Sequence, residues 1–333
     1  MYILGIESSC DDTAAAVLNN GTVCSSLLTS QDAIHRRFGG VVPELASRKH
    51  LEAIVPMVDC ALAEAGIDLA GIDLIAATRG PGLVGSLLVG YSYARALAQV
   101  SRIPLVGVDH IAGHILSVFL GAKPPPFPYI SLVVSGGNSA LYLAEDTCTF
   151  RLLGRTRDDA AGEVFDKVAK LLQLPYPGGP QVAARAQTGN REAIRFPRAW
   201  LGSQSLDFSF SGLKTAVRVH VEQQRHQLSQ AMLNDICASF EEAVVEVLVE
   251  KTILAARQCQ VSNIALGGGV SANNRLRERF DLRCRQEGLG FFPPDRQYST
   301  DNAAMIALAG LHIYRRFGAA SSDADVFSRS TLG

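Results

Sequence analysis

Tyr2-Ile3-Leu4-Gly5-Ile6-Glu7-Ser8-Ser9-Cys10-Asp11-Asp12-Thr13-Ala14-Ala15-Ala16-Val17-Leu18 is the stretch on which the fold turns. An apolar run over 2–6 breaks at the polar turn 7–13 and resumes over 14–18, a strand–turn–strand pattern. The same order returns over 129–134, a β-rich run broken by Ser135-Gly136-Gly137-Asn138-Ser139 and resumed over 140–143. Two such hairpins, well over a hundred residues apart, suggest a duplicated domain. Between them Lys123-Pro124-Pro125-Pro126-Phe127-Pro128 forbids helix and favours an extended connector. The boundary is read there, with a first domain over 1–125 and a second over 126–333.

Working outward, helices are expected over 43–64 and 85–99, separated by a strand 74–78 and the turn Arg79-Gly80-Pro81-Gly82. Beyond the connector come helices 159–172 and 229–258. A strand 263–266 runs into Gly267-Gly268-Gly269, and a last helix covers 301–317. Val164, Phe165, Val168, Leu171 and Leu172 fall on one helical stripe, which marks a buried face. Mixed strands and helices predict an α/β fold.

Composition narrows the class. At about 150 residues per domain, 333 residues make about two domains, and 47% hydrophobic against 19% charged residues gives each a core. Lys+Arg 31 against Asp+Glu 32 leaves a net charge of -1, so any basic surface for nucleic acid must be local. The cysteines (Cys10, Cys24, Cys60, Cys148, Cys237, Cys259, Cys284) are odd in number and form no C-x-x-C pair. That argues against a disulfide framework or thiolate zinc site and fits a reducing cytoplasm. Met1-Tyr2-Ile3-Leu4 carries no basic leader, and no apolar run reaches the roughly 18 residues of a membrane span. A soluble, unexported, cytoplasmic protein is expected.

His110-Ile111-Ala112-Gly113-His114 places two imidazoles at i and i+4 on one helical face, a chelating spacing that needs a third ligand. Asp301, in Ser299-Thr300-Asp301-Asn302, is a candidate, although a helix N-cap explains it equally well. Two imidazoles and a carboxylate would leave open coordination positions suited to iron(II) or zinc. The metalloprotease pattern H-E-x-x-H fails because Ile111 stands where its Glu is needed.

The turns Ser135-Gly136-Gly137 and Gly267-Gly268-Gly269 follow strands and let backbone N–H groups approach an anion, though neither is a P-loop. The second leads through Val270-Ser271-Ala272-Asn273 into a helix-like stretch 275–280. Asp11 and Asp12 either stabilise the first hairpin turn or offer a carboxylate to a metal-phosphate or a proton. Asp158, Asp159 and Glu163 suit a helix start, and Asp166, beyond that first turn, is less easily explained. Arg185, Arg191, Arg195, Arg198, Lys214, Arg218 and Arg225 outnumber the carboxylates of segment 185–225 and alternate with Phe196, Trp200, Phe208 and Phe210. This local basic surplus is a solvated face or a nucleic-acid contact.

Across nearly its full length the chain resembles the TsaD/Gcp family, the tRNA N6-adenosine threonylcarbamoyltransferases. The likeness rests on Gly5-Ile6-Glu7-Ser8-Ser9-Cys10-Asp11-Asp12-Thr13, Gly39-Gly40-Val41-Val42-Pro43-Glu44-Leu45-Ala46-Ser47-Arg48 and Gly80-Pro81-Gly82-Leu83-Val84-Gly85. It continues through the His110 to His114 motif, 133–137, Asp159-Ala160-Ala161-Gly162-Glu163, Tyr176-Pro177-Gly178-Gly179-Pro180 and Asp207-Phe208-Ser209-Phe210-Ser211-Gly212-Leu213-Lys214. Gly268-Gly269-Val270-Ser271-Ala272-Asn273 and Ser299-Thr300-Asp301-Asn302 complete it.

The resemblance implies two duplicated actin-like ATPase (ASKHA, RNase H-like) domains around a central cleft, with an inserted segment at about 185–226. It implies transfer of threonylcarbamoyl from threonylcarbamoyl-AMP to N6 of the adenosine 3′ of the anticodon, in tRNAs reading codons that begin with A, releasing AMP. By the same resemblance His110, His114 and Asp301 match metal ligands, with Fe(2+) favoured and Zn(2+) possible. Val133, Val134, Ser135, Gly136, Gly137, Asp166, Gly179 and Asn273 match substrate-binding positions, and Asp11 matches a carboxylate implicated in activity. Implied partners are tRNA, a TsaB-like relative and a TsaE-like ATPase. Asp109 and Asn138 stand where relatives carry His, and the tail Phe327-Ser328-Arg329-Ser330-Thr331-Leu332-Gly333 lacks an Arg-Pro-Trp ending. The rival readings are a non-catalytic scaffold subunit, a metalloglycoprotease and a small-molecule kinase.

Overall fold

The computed structural model describes residues 1–224, 228–320, 324–330 and 332. Arg225, Thr331 and Gly333 therefore lie outside the described residues. The chain forms two compact units, one of Met1–Pro124, Glu145–Phe150 and Pro294–Gly333, the other of Pro125–Ala144 and Arg151–Pro293.

In the first unit β1 (Tyr2–Glu7), β2 (Asp12–Asn19) and β3 (Thr22–Ser30) form an antiparallel meander, followed by α1 (Asp32–His35) and α2 (Pro43–Ala65). Then come β4 (Leu74–Gly80), α3 (Val84–Ser101), β5 (Leu105–Asp109) and α4 (His110–Leu116). The sheet order is β3-β2-β1-β4-β5, with β4 parallel to both β1 and β5. β1, β2 and β4 are buried almost throughout, as strands covered on both faces must be. On one face Leu4, Ile6, Ala15, Val17, Ile75 and Ala77 join Ile54 and Val58 of α2 and Tyr91 and Ala94 of α3 in one core.

The second unit repeats the plan. β6 (Tyr129–Val134), β7 (Ser139–Ala144) and β8 (Phe150–Arg155) are followed by α5 (Ala161–Leu171), α6 (Gly178–Ala186), α7 (Ser211–Gln223) and α8 (Gln230–Cys259). β9 (Asn263–Gly267), α9 (Asn274–Glu287) and β10 (Gly290–Phe292) close it. Its order is β10-β9-β6-β7-β8, with β6 antiparallel to β7 and parallel to β9. Counting each unit's strands from its own first strand, both sheets read 3-2-1-4-5. The duplication suggested by the two hairpins is thus present in the topology.

The chain leaves the first unit one residue earlier than expected, rejoins it briefly over Glu145–Phe150 and returns to it at Pro294. Residues 294–333, expected in the second domain, join the first because α10 (Ala303–Phe317) packs on β1, β2 and β4. Gly5 permits this, since a Cβ there would run into the carbonyl of Ala303 and lie 2.9 Å from the Cβ of Ala307.

Two helix starts differ from the sequence reading. Asp158 and Asp159 precede α5 rather than opening it. Asp158 accepts hydrogen bonds from Ser211 Oγ (2.7 Å) and Phe210 N (2.8 Å) and so caps α7, while Asp159 pairs with Lys167 and Lys214. At the last helix Asn302, not Asp301, is the cap, accepting from Met305 N at 2.8 Å.

Candidate metal centre and substrate loops

That one-residue shift frees Asp301. Its Oδ1 lies 3.2 Å from His114 Nε2 and 3.5 Å from His110 Nε2, and one donor atom from each of the three residues falls within 4.8 Å of the others. Both histidines project from α4 with ring centroids 4.6 Å apart, nearly perpendicular. Asp109 fixes the start of this helix, its Oδ1 accepting from Ile111 N and its Oδ2 from Ser330 Oγ, each at 2.8 Å. Asp109 thus holds in place the helix that carries both histidines.

Glu7 completes the centre, and the sequence reading missed it. It is the last residue of β1 and fully buried, and its Oε2 lies 2.9 Å from His110 Nδ1 and accepts from Thr78 Oγ1 at 2.6 Å. Its Oε1 accepts from Ser9 N. A carboxylate behind an imidazole fixes the ring's tautomer and raises its basicity as a ligand. The signal was present in the sequence as a carboxylate ending an otherwise apolar strand.

Electrostatics fit a cation. Burial opposes charge on Glu7 and Asp301, but His110 beside both, together with their hydrogen bonds, holds each carboxyl below its ordinary value. Burial likewise opposes charge on His110, yet Glu7 and Asp301 raise it well above the usual imidazole range. One fully buried and one partly buried carboxylate on either side of His110 demand positive charge at this place. Burial and the neighbouring His110 push His114 down, so it is neutral and ready to ligate. His114 Nδ1 is buried without a hydrogen-bond partner, and its Nε2 faces the Asp301 carboxylate at 3.2 Å; a buried ring nitrogen left unpaired costs about 1–3 kcal/mol unless a ligand takes its lone pair. The donor set therefore suits a divalent metal.

Asp11 lies in the β1–β2 turn, whose backbone is held by His50 Nε2 and Ser86 Oγ, each 3.0 Å from the Cys10 carbonyl. Burial raises the Asp11 carboxyl, and burial drives Asp12 up to about 7.

The residues matching substrate positions gather at the carboxyl ends of β6 and β9 in the second unit. Val133 and Val134 end β6 and are buried, while Ser135, Gly136 and Gly137 form the turn, closed by Ser135 N donating to the Asn138 carbonyl at 2.8 Å. Space is open around Gly136, Gly137 and Gly179. Gly268, at φ +82°, lies so close to the Val134 carbonyl that no side chain fits, which brings the β9 loop against the β6 end. Gly162 N donates to the Ser135 carbonyl at 3.1 Å, adding the start of α5 to the same corner. Asp166 Oδ1 accepts from Gly178 N at 2.7 Å, anchoring the start of α6. Asn273 caps α9 and donates to buried Glu241 at 2.7 Å. The side chains of Asp166 and Asn273 thus shape the loops around them.

Of the basic segment, Arg191 and Arg198 are engaged by Glu242 and Glu246, Lys214 by Asp159. Among the described residues no helix is long and apolar enough to cross a membrane.

Two duplicated α/β units of this topology, one bearing a His–His–Asp centre and the other a glycine-lined turn, define a protein of the actin-like ATPase (ASKHA) fold. Solved structures agree on the fold. HypF from T. kodakarensis superposes with a TM-score of 0.64 at 17% identity, covering 95% of this chain and 48% of that one. Component A of (R)-2-hydroxyglutaryl-CoA dehydratase from Acidaminococcus fermentans does so at 0.54 and 15%, covering 94% and 98%. The sequence model for TsaD, tRNA N6-adenosine threonylcarbamoyltransferase, matches residues 22–308. The tRNA N6-adenosine threonylcarbamoyltransferase of Desulfotalea psychrophila is 57% identical over 100% of this chain and 98% of its own length, and that of Moorella thermoacetica 54% over 94% and 92%. This chain belongs to the TsaD family.

Proposed function

We propose that this protein transfers the threonylcarbamoyl group from threonylcarbamoyl-AMP to N6 of the adenosine 3′ of the anticodon, in tRNAs reading codons that begin with A, releasing AMP. The observation that carries the proposal is the convergence of His110, His114 and Asp301 in a chain that matches namesakes of this activity over its whole length. His110, His114 and Asp301 would hold one divalent ion, Fe(2+) by preference and Zn(2+) as the alternative, with Glu7 orienting His110. When bound, the ion would supply Lewis-acid polarisation of a substrate oxygen.

The exocyclic amine of adenine is a weak nucleophile, so the acyl group must arrive activated and held in place. Val133, Val134, Ser135, Gly136 and Gly137, with Gly179 and the loops anchored by Asp166 and Asn273, bind the adenylate, the amides of the turn meeting its phosphate. N6 forms a bond to the carbamoyl carbon, the bond from that carbon to the phosphate oxygen breaks, and AMP departs with the electron pair. N6 also loses a proton, which Asp11 accepts; the burial that raises its carboxyl makes it a better base than an exposed aspartate. A TsaB-like relative and a TsaE-like ATPase are the companions, and the cytoplasm is the compartment.

The test supplies the full-length protein, its companions, ATP, threonylcarbamoyl-AMP and unmodified tRNA, then quantifies threonylcarbamoyladenosine in the digested tRNA by mass spectrometry. Wild type forms the product, and His110→Ala loses both product and bound metal. Absence of product from wild type, with companions that work beside another family member, overturns the proposal.

A further inference from the structure

An open pocket of about 340 Å³ on the second unit is lined by Lys167, Lys170, Leu171, Lys214, Thr215 and Arg218. It runs along α5 and α7, which pack together. Lys167 and Lys170 stand at i, i+3 on α5, and Lys214 and Arg218 at i, i+4 on α7, so each helix turns two cations to one side. Such a seam repels itself unless carboxylates answer it.

Asp159 answers half of it, Oδ1 contacting Lys167 Nζ at 2.7 Å and Oδ2 contacting Lys214 Nζ at 2.9 Å, while Glu163 adds a 2.8 Å contact to Lys167. These two carboxylates balance Lys167 and Lys214. Lys170 and Arg218 are exposed and, among the described residues, neither forms an ion pair. The α5 dipole favours Lys170, in that helix's last turn. Arg218 lies mid-helix in α7 and has no such account.

We propose that this seam docks the backbone phosphates of tRNA, Lys170 and Arg218 each engaging a phosphate while Lys167 and Lys214 are held in place by Asp159. The inference rests on the reading that the chain acts on tRNA. The lining offers no aromatic ring for a base to stack on and no glycine turn for a terminal phosphate, so it reads a phosphodiester chain and not a mononucleotide. With a net charge of -1 over the molecule, attraction to RNA needs a local site of this kind.

The test measures the affinity of the full-length chain for unmodified tRNA, alone and with its companions, across salt from about 50 to 200 mM. Lys170→Ala/Arg218→Ala lowers the slope of log K against log salt by about 2, one per phosphate contact. It raises KM for tRNA while kcat holds. Lys170→Arg/Arg218→Lys restores the slope, which separates lost charge from lost folding. Arg285→Ala, an exposed α9 arginine paired with Asp281, leaves it unchanged. An unchanged slope in the double alanine variant, or an equal drop in Arg285→Ala, overturns the proposal. Absence of threonylcarbamoyladenosine from wild type would instead overturn the transferase reading, which binding alone does not address.

Discussion

Glu7→Gln keeps the shape of a buried side chain and changes one oxygen to an amide nitrogen. That side chain accepts from Ser9 N through one oxygen and meets Thr78 Oγ1 and His110 Nδ1 through the other, at 2.6 and 2.9 Å. A nitrogen in the first place opposes the Ser9 N–H, and one in the second opposes the donors from Thr78 and His110. Either placement loses at least one charge-assisted bond, about 1.5–3 kcal/mol, and releases the ring that should present Nε2 beside Asp301. Loss of such a partner behind a metal-bound histidine weakens metal affinity about 10–100-fold, about 1.4–2.7 kcal/mol. The assay strips the purified chain of metal and titrates zinc against a chromophoric chelator, with Asp301→Asn, which removes a proposed ligand, as the lower bound. Glu7→Gln should fall between wild type and Asp301→Asn. Zinc affinity equal to wild type would refute the argument, because Glu7 would then contribute only to folding.

Two further outcomes follow from structure outside the metal centre. Lys251, 2% exposed in α8, donates to the carbonyls of Trp200 (2.8 Å), Ser205 (3.0 Å) and Asp207. Lys251→Met leaves those carbonyls without their donor and should cost about 2–4 kcal/mol, read by urea unfolding; a change under about 0.5 kcal/mol, the range of an ordinary surface substitution, would contradict it. Burial opposes the charge of Asp158, but hydrogen bonds from Ser209, Phe210 and Ser211 prevail and lower its carboxyl. Its folded pKa lies below the unfolded one, so its stabilisation is complete above about pH 4 and fades as pH falls through the folded value. Asp158→Asn should therefore lose about 1 kcal/mol of α7 capping at neutral pH and show a shallower decline in acid, and an acid limb as steep as wild type would count against it.

The fold was legible because apolar runs and turns carry it. The hairpins over 2–18 and 129–143, the proline connector and the stripe through Val164, Phe165 and Val168 each depend on local pattern, and each stands where that pattern puts it. The return of α10 to the first unit was not legible, since nothing near Ala303 says which sheet will receive it. The instruction lies some 300 residues away, in Gly5, where a missing side chain lets the helix close on β1.

The same division governs the centre. His110 and His114 declare themselves through a spacing within one helix, whereas Asp301 and Asn302 are adjacent residues that both make good caps. Only tertiary structure distinguishes them, by giving Met305 N to Asn302 and leaving the Asp301 carboxylate to the histidines. Glu7 is the extreme case, because its meaning comes wholly from a partner 103 positions away. Alone it reads as a polar residue at a turn. What makes it part of the centre is β1 running beside β4, which brings Thr78, and β5 running beside β4, which delivers α4 and His110. A buried carboxylate at the end of a central strand is costly unless some cation answers it, so the sheet order that buries Glu7 also requires a positive group at the position His110 occupies.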